Sequence, residues 1–184
     1  MPSPRIVLIS GAPGSGKTTL GRHLADALSV PHVNKDRIRE GLWLTDPSIA
    51  RDGDQIWGIW MSSVRLLLAA GVSVVIDQTL YRGRSEADLC SQLLPLGRAV
   101  NVHTRSRLAE SRWRAKVSDD PRWEPEQLLQ LFAHAERNTA LWTDPLDLGC
   151  PRIEVKTTGG YDPTISEIVG VDHGPAVIPA GVSV

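Results

Sequence analysis

Phenylalanine is almost missing from this 184-residue chain, which has one Phe and two Tyr against six Trp. Cysteine is equally scarce. Cys90 and Cys150 fit no metal-ligand spacing, and two cysteines in a chain of this size build no disulfide framework, so both read as small buried hydrophobes. Lysine is limited to Lys17, Lys35, Lys116 and Lys156 beside 16 arginines. Charge of one sign is absent too: the formal net charge is −1, which gives no general attraction to a polyanion and leaves only a local arginine-lined site open. No long hydrophobic run occurs. The stretch Ile6-Val7-Leu8-Ile9 is far too short for a signal core or a membrane span, and cytoplasmic residence is expected. Internal repeats are also lacking.

What is present is an ordinary globular balance, with 41% hydrophobic and 22% charged residues in a length that suits one domain. Short apolar, β-branched runs at Arg5–Ser10, Pro31–Asn34, Val72–Ile76, Ala99–His103 and Arg152–Lys156 read as five strands. Helical spacing separates them. Lys17–Leu28 places Leu20, Leu24 and Leu28 on one face, and Asp54–Ala70 does the same with Ile56, Trp60, Val64 and Leu67–Leu68. Ser85–Leu94, Ser106–Lys116, Pro125–Leu141 and Thr164–Val169 complete the helices. Strands alternating with helices predict a doubly wound α/β sheet with parallel pairing, covered on both faces. Residues 171–184 carry Pro175 and Pro179 without periodicity and read as a tail that lies on the surface or is disordered.

The segment Gly11-Ala12-Pro13-Gly14-Ser15-Gly16-Lys17-Thr18 satisfies G-x-x-x-x-G-K-[ST] between a strand and a helix, where a phosphate cradle belongs. Glycines let backbone N–H groups turn inward, and the helix adds its unsatisfied N-terminal donors and positive dipole end. Lys17 is expected to bridge the β- and γ-phosphates, Thr18 to offer its hydroxyl to magnesium, and Thr19 to help at the α-phosphate. ATP and Mg2+ are the implied cofactors.

The cradle alone does not separate kinase, GTPase and mechanical ATPase. A guanine-reading Asn-Lys-x-Asp segment is missing, and Asn34-Lys35-Asp36 has neither its spacing nor its place. The third strand ends in Asp77 without the following Glu that commonly activates water, so hydrolysis is not favoured. Asp36 and Arg39 follow the second strand and so fall at the same carboxyl edge as the cradle. A carboxylate there suits removal of a proton from an attacking alcohol. The competing reading of Asp36 is a helix N-cap for the segment beginning near Arg37.

These residues resemble a known group. Gly-x-Pro-Gly-Ser-Gly-Lys-Thr-Thr, an Asn-x-Asp-x-x-Arg segment and a strand ending Asp-x-Thr are similar to the branch of P-loop kinases that contains polynucleotide 5′-hydroxyl kinase, chloramphenicol phosphotransferase, zeta toxins and gluconate kinase. The resemblance implies a three-layer P-loop NTPase fold, a five-stranded parallel sheet of order 2-3-1-4-5 and an arginine-rich lid at about 104–123 within a single domain spanning 1–170. It also implies that Asp36 is the general base, that Arg39 contacts the acceptor, and that Asp77 lies beside Asp36 near the magnesium, with Thr18, Asp36 and Asp77 as the metal-site residues. Thr79 is placed at the same rim.

Arg112 and Arg114 are the lid candidates to clamp phosphate, with Arg112 and Lys116 one turn apart and Arg122 a possible substitute for the second family arginine. Thr158, in the turn Thr157-Thr-Gly-Gly160, is expected to border the adenine. Trp57 and Trp60 share a helix face and read either as acceptor-stacking residues or as core. The expected reaction is ATP-dependent transfer of phosphate to a hydroxyl of a small molecule. The alternatives are a polynucleotide 5′-hydroxyl kinase, against which the near-neutral charge argues, a zeta-type toxin acting on a nucleotide-sugar, or a non-catalytic nucleotide-binding regulatory module.

Overall fold

The computed structural model describes residues 3–120, 124–171 and 182–183. Arg122 and nearly all of the C-terminal tail lie outside the described residues. The sheet is built from β1 (Arg5–Gly11), β2 (His32–Asn34), β3 (Val74–Asp77), β4 (Arg98–Arg105) and β5 (Arg152–Lys156), with the short β6 (Val182–Ser183) added at one edge. Its order is β2-β3-β1-β4-β5-β6. The first five strands are parallel, in the 2-3-1-4-5 order that the family resemblance implies. The sixth strand is an addition to that expectation: the backbone of Val182–Ser183 pairs antiparallel with β5, so this part of the tail belongs to the sheet edge.

The alternation within β1 explains the layering. Ile6 and Leu8 face one side and pack with Val74, Ile76, Trp60, Met61, Val64 and Leu68, the last four carried by the helix Gly53–Ala69. Val7 and Ile9 face the other side and pack with Val75, Val102, Ile153 and Val155 against Leu20 and Leu24 of α1 (Lys17–Leu28) and Ile168 of a C-terminal helix, Ile165–Val171. Both β1 faces are thus dry, which is why the strand reads as a continuous apolar run. Burying a side chain such as Leu24 contributes about 1.5–3 kcal/mol relative to leaving it in water.

Two helices occupy the region between β2 and the helix Gly53–Ala69: α2 (Lys35–Thr45) and α3 (Pro47–Arg51). Neither stands out as an amphipathic element, because α2 has no fully buried residue and meets the core through the partly buried Ile38. Local capping sets them instead. Asn34 accepts from the backbone N–H of Arg37, Asp46 accepts from Ser48 and Ile49, and Asp52 starts α4 (Gly53–Ala69) by accepting from Asp54 and Gln55. The N-cap role considered for Asp36 belongs to Asn34. After β3 come α5 (Glu86–Gln92) and a single 3-10 turn, Leu94–Leu96. After β4 comes α6 (Ala109–Ser118). The expected helix Pro125–Leu141 is divided into α7 (Pro125–Arg137) and α8 (Thr139–Thr143), and α9 (Ile165–Val171) closes the fold. Among the described residues no helix is long and apolar enough to cross a membrane.

Candidate active site

Three parallel strands end side by side where the cradle forms, because β1 lies between β3 and β4. Gly11 closes β1 with φ 129° and Gly14 turns the loop at φ 76°, both in the region that L side chains rarely adopt. Space demands glycine as well. A Cβ on Gly11 would meet the Thr104 carbonyl oxygen at 2.4 Å, and one on Gly14 would meet that of Ala109 at 2.0 Å. The loop is therefore pressed between the end of β4 and the start of α6.

Hydroxyl groups brace it from behind. Ser15 Oγ lies 2.6 Å from Thr104 Oγ1, which donates to the Ser10 carbonyl at 2.9 Å, and Thr157 Oγ1 donates to the Ser15 carbonyl at 2.6 Å. Thr104 and Thr157 were not singled out from the sequence. Their signal is faint: each is a Thr at or just beyond the carboxyl end of a strand adjacent to the cradle. Ser10 adds a buried link, its Oγ 2.8 Å from Asn101 Oδ1 and 3.0 Å from His103 Nδ1, while His103 Nε2 meets the Thr143 carbonyl at 3.1 Å. Burial holds His103 below its ordinary pKa.

Lys17, the first residue of α1, turns its ammonium back over the loop and donates to the Gly11 and Ala12 carbonyls at 3.0 and 2.8 Å. Burial pushes its pKa down to about 8, against the opposing pull of the Asp77 and Asp36 carboxylates, and the Lys116 charge lowers it further. The amine still carries its proton at neutral pH. Asp36 and Lys116 thus both lie near enough to Lys17 for their charges to reach it.

Thr18 stands next to Lys17, exposed on the first turn, and donates its hydroxyl to Asp77 Oδ2 at 2.8 Å. Asp77, the last residue of β3, is 1% exposed. Its other oxygen receives His32 Nε2 at 3.0 Å and the Asn34 side-chain amide. Burial alone would raise the carboxyl pKa, but the hydrogen bonds from His32 and Asn34, the His32 charge and the Thr18 hydroxyl outweigh it and hold the group below its usual range. Asp77 is an ionised carboxylate at the foot of the cradle. His32 and Asn34 went unnoticed as site residues in the sequence, although they bracket β2.

The remaining expected residues divide. Asp36 and Arg39 sit on the first turn of α2, with Arg39 Nη1 3.8 Å from Asp36 Oδ1 and the Asp36 side chain 59% exposed. Asp36 does not touch Asp77, whose partners among the described residues are Thr18, His32 and Asn34. The expectation sets the two carboxylates beside each other near magnesium; Asp36 stands at the start of α2 and Asp77 at the end of β3, with no hydrogen bond between them among the described residues. Thr79 is half-buried beyond β3. Trp60 is wholly buried, its indole N–H donating to the Val33 carbonyl at 3.1 Å, so it packs the core and meets no ligand. Trp57 is half-buried, with its N–H on Asp88 at 3.1 Å and the Lys35 ammonium 5.9 Å from its ring.

On α6, Arg112 is exposed. Arg114 is engaged away from the cradle, with Glu110 at 2.9 Å, Glu136 at 2.8 Å and its guanidinium 4.5 Å from the Phe132 ring. It ties α6 to α7, which removes it as a free phosphate clamp. Thr158 is exposed, 3.0 Å from Ser106 Oγ between the ends of β4 and β5.

The donor set fits the groups the motif implies. The first turn of α1 has backbone N–H groups without intrahelical acceptors, Lys17 supplies a cation, and Thr18 and Asp77 supply hard oxygen ligands. Magnesium suits so small a protein contribution, because it keeps several waters and takes phosphate oxygens.

Comparison with known proteins agrees with this geometry. A family model described as an AAA domain matches residues 6–138, a span that includes the cradle, Asp36, Asp77 and α6. A stretch of 38 residues is 55% identical to shikimate kinase of Corynebacterium jeikeium, covering 21% of this chain and 20% of that one; the chain thus matches only a fifth of that relative's length. Among solved structures, a candidate kinase from Chloroflexus aurantiacus j-10-fl superposes with a TM-score of 0.70 at 20% identity, over 92% of this chain and 94% of that one. A sugar kinase from Janibacter sp. HTCC2649 superposes at 0.59 and 20% identity, over 96% and 100%. The chain belongs to the AAA domain family and has the fold of the P-loop kinase branch that its sequence resembles.

Proposed function

We propose that this protein is an ATP-dependent kinase that transfers the γ-phosphate to a hydroxyl of a small-molecule acceptor. The observation that carries the reading is the position of Asp36, an exposed carboxylate at the start of α2 whose charge reaches the Lys17 ammonium of the cradle.

In this account Gly11 to Lys17 and the start of α1 hold the triphosphate, Thr18 and Asp77 are the protein ligands of magnesium, and Thr19 lies at the α-phosphate. Thr158 borders the base. Magnesium, when bound, neutralises charge on the phosphates and fixes their geometry. Lys17 leaves the Gly11 and Ala12 carbonyls for the β- and γ-phosphate oxygens. Asp36 accepts the acceptor's hydroxyl proton as the new oxygen–phosphorus bond forms, and the bond from the γ-phosphorus to the bridging oxygen breaks, so that ADP leaves with the electron pair. Arg39 orients the acceptor. Arg112, exposed on α6, and Lys116, whose charge reaches Lys17, close over the transferring group as a lid and exclude competing water. The whole of residues 1–170 acts as one catalytic unit.

The similarity to shikimate kinase and the fold shared with a sugar kinase support a small acceptor. The test is incubation with γ-labelled ATP and panels of alcohols, aminoglycosides, nucleosides and 5′-hydroxyl oligonucleotides. Label on a small alcohol supports the reading, and label on oligonucleotides alone replaces it with polynucleotide phosphorylation. Tight ATP binding with no labelled product would identify a regulatory module.

A further inference from the structure

A row of aromatic rings runs from the phosphate cradle to the loop that follows β3. Trp113 on α6 lies 6.4 Å from Trp142 on α8, and Trp142 lies 5.8 Å from Tyr81 in that loop, both within the separations of about 4.5–7 Å at which aromatic rings attract. Trp113 also meets Phe132 of α7 edge-on at 5.5 Å. The row begins at the cradle itself. A Cβ on Gly14 would meet not only the Ala109 carbonyl oxygen but also the Trp113 backbone nitrogen, at 2.9 Å. The phosphate loop therefore rests on the α6 backbone at the residue whose ring starts the row. α6 is lightly held, since of its ten residues Ala109 alone is buried, and an element with so few buried contacts shifts at low cost.

Trp142, in the middle of the row, is buried, and its helix is braced on both sides. The Leu141 carbonyl accepts from the Arg82 N–H at 2.6 Å. The Thr143 carbonyl meets His103 Nε2 at 3.1 Å, and His103 Nδ1 lies 3.0 Å from the hydroxyl of Ser10, the residue before Gly11. Five residues of α8 thus touch the strand that leads into the cradle, the helix that covers it, and the loop that leaves Asp77. That loop holds together around Tyr81. The Tyr81 N–H donates to Ser85 Oγ at 3.0 Å, and the Arg84 and Ser85 N–H groups donate to the Tyr81 carbonyl at 3.1 and 2.9 Å. A displacement of the Tyr81 ring therefore carries the turn with it.

We infer that Trp142 is a positioning residue that makes occupancy of the cradle felt in the loop after Asp77, on the acceptor side of the site. The inference rests on nucleotide binding at Gly11 to Thr18 and on the acceptor-side place of that loop, which also carries Thr79, and not on the transfer step. Phosphates that draw Lys17 off the Gly11 and Ala12 carbonyls reshape the loop around Gly14. α6 follows because it is packed against that loop, and close-packed contacts transmit displacement. Trp113 passes the shift to Trp142, and Trp142 passes it to Tyr81. The acceptor rim is thereby set only once nucleotide is seated.

Amide hydrogen exchange of the full chain, with and without saturating AMPPNP (a non-hydrolysable ATP analogue) and magnesium, reads both ends of the row at once. In the native chain the analogue should protect residues 11–18 and should also change exchange at residues 81–85 by at least about fivefold, the lower end of ordinary coupling between sites. Trp142→Ala should abolish the second response and keep the first, and Trp142→Phe, which preserves a ring, should keep both. Trp113→Ala cuts the row at its other end and leaves the Tyr81–Trp142 contact in place, so it carries the test even where Trp142→Ala loosens α8. It too should silence residues 81–85. A response there that persists in either alanine variant, its loss in Trp142→Phe, or no response in a native chain whose residues 11–18 are protected overturns the inference and leaves nucleotide binding standing. Absence of protection at residues 11–18 overturns both. Label transfer keeps the kinase reading separate: the predicted exchange pattern without transfer to any acceptor supports this inference and removes that reading.

Discussion

Thr18 Oγ1 and Asp77 Oδ2 lie 2.8 Å apart, joining the first turn of α1 to the end of β3 across 59 residues of sequence. The pair presents a hydroxyl and an ionised carboxylate on one side of the phosphate cradle, while His32 and Asn34 fix the carboxylate from behind.

Substituting Lys17 by Ala should weaken ATP binding by about a hundredfold or more, since the charge-assisted bonds to two phosphates disappear. Calorimetric titration with a non-hydrolysable analogue reads this. Because Lys17 Nζ, among the described residues, holds the Gly11 and Ala12 carbonyls alone, unfolding stability should change far less than affinity does.

Asp77→Asn should abolish the magnesium dependence of nucleotide affinity and destabilise the fold by about 1–3 kcal/mol, because the substituted amide cannot accept from Thr18, His32 and Asn34 together. Asn34→Ala should cost about 1–2 kcal/mol, losing a helix cap and a bond to Asp77 at once. Denaturant melts with and without magnesium distinguish the two effects.

Stability should fall on mild acidification through His103. Its folded pKa lies below the unfolded value of 6.5, so the unfolded chain binds the extra proton first; the contribution is fully present above about pH 6.5 and is lost as pH falls below it. Each unit of depression corresponds to about 1.4 kcal/mol. Melting curves from pH 7.5 to 5 should show this slope in the native chain and a shallower one in His103→Asn.

Trp60→Ala should cost about 3–5 kcal/mol of stability, as expected for a wholly buried aromatic, and Trp57→Ala much less. If Trp57 stacks on the acceptor, its substitution should raise the acceptor KM with little change in ATP affinity. Steady-state kinetics beside thermal melts separates the two roles.

How far the sequence foretold this site follows from the range of the interactions involved. Gly11 to Thr18 form a contiguous pattern whose chemistry is local, and Asp77 closes an apolar run, so both were legible. His32, Thr104 and Thr157 act at the site through partners distant in sequence, and Asn34 joins a local cap on Arg37 to Asp77, 43 residues on, a link that nothing local marks. The central strands β1 and β3 were recoverable because they are apolar and buried along their length, and the order followed from the family resemblance. Helix α2 leaves a weak apolar signal because it has no fully buried residue and rests on the core through the partly buried Ile38, and Trp57 and Trp60, identical in type and three residues apart, are separated only by which way the helix face turns. Arg114 shows the same limit in reverse: its acidic partners Glu110 and Glu136 turn a promising lid residue into a tie between two helices.

The central claim is phosphoryl transfer to a hydroxyl with Asp36 as the base. Its most direct test is the rate of label transfer from γ-labelled ATP to the hydroxyl of an acceptor that the native chain phosphorylates, in the native chain and in Asp36→Asn, with nucleotide affinity measured alongside. The account predicts a fall in kcat of about a hundredfold or more at unchanged ATP affinity. Transfer that continues undiminished in Asp36→Asn would contradict it.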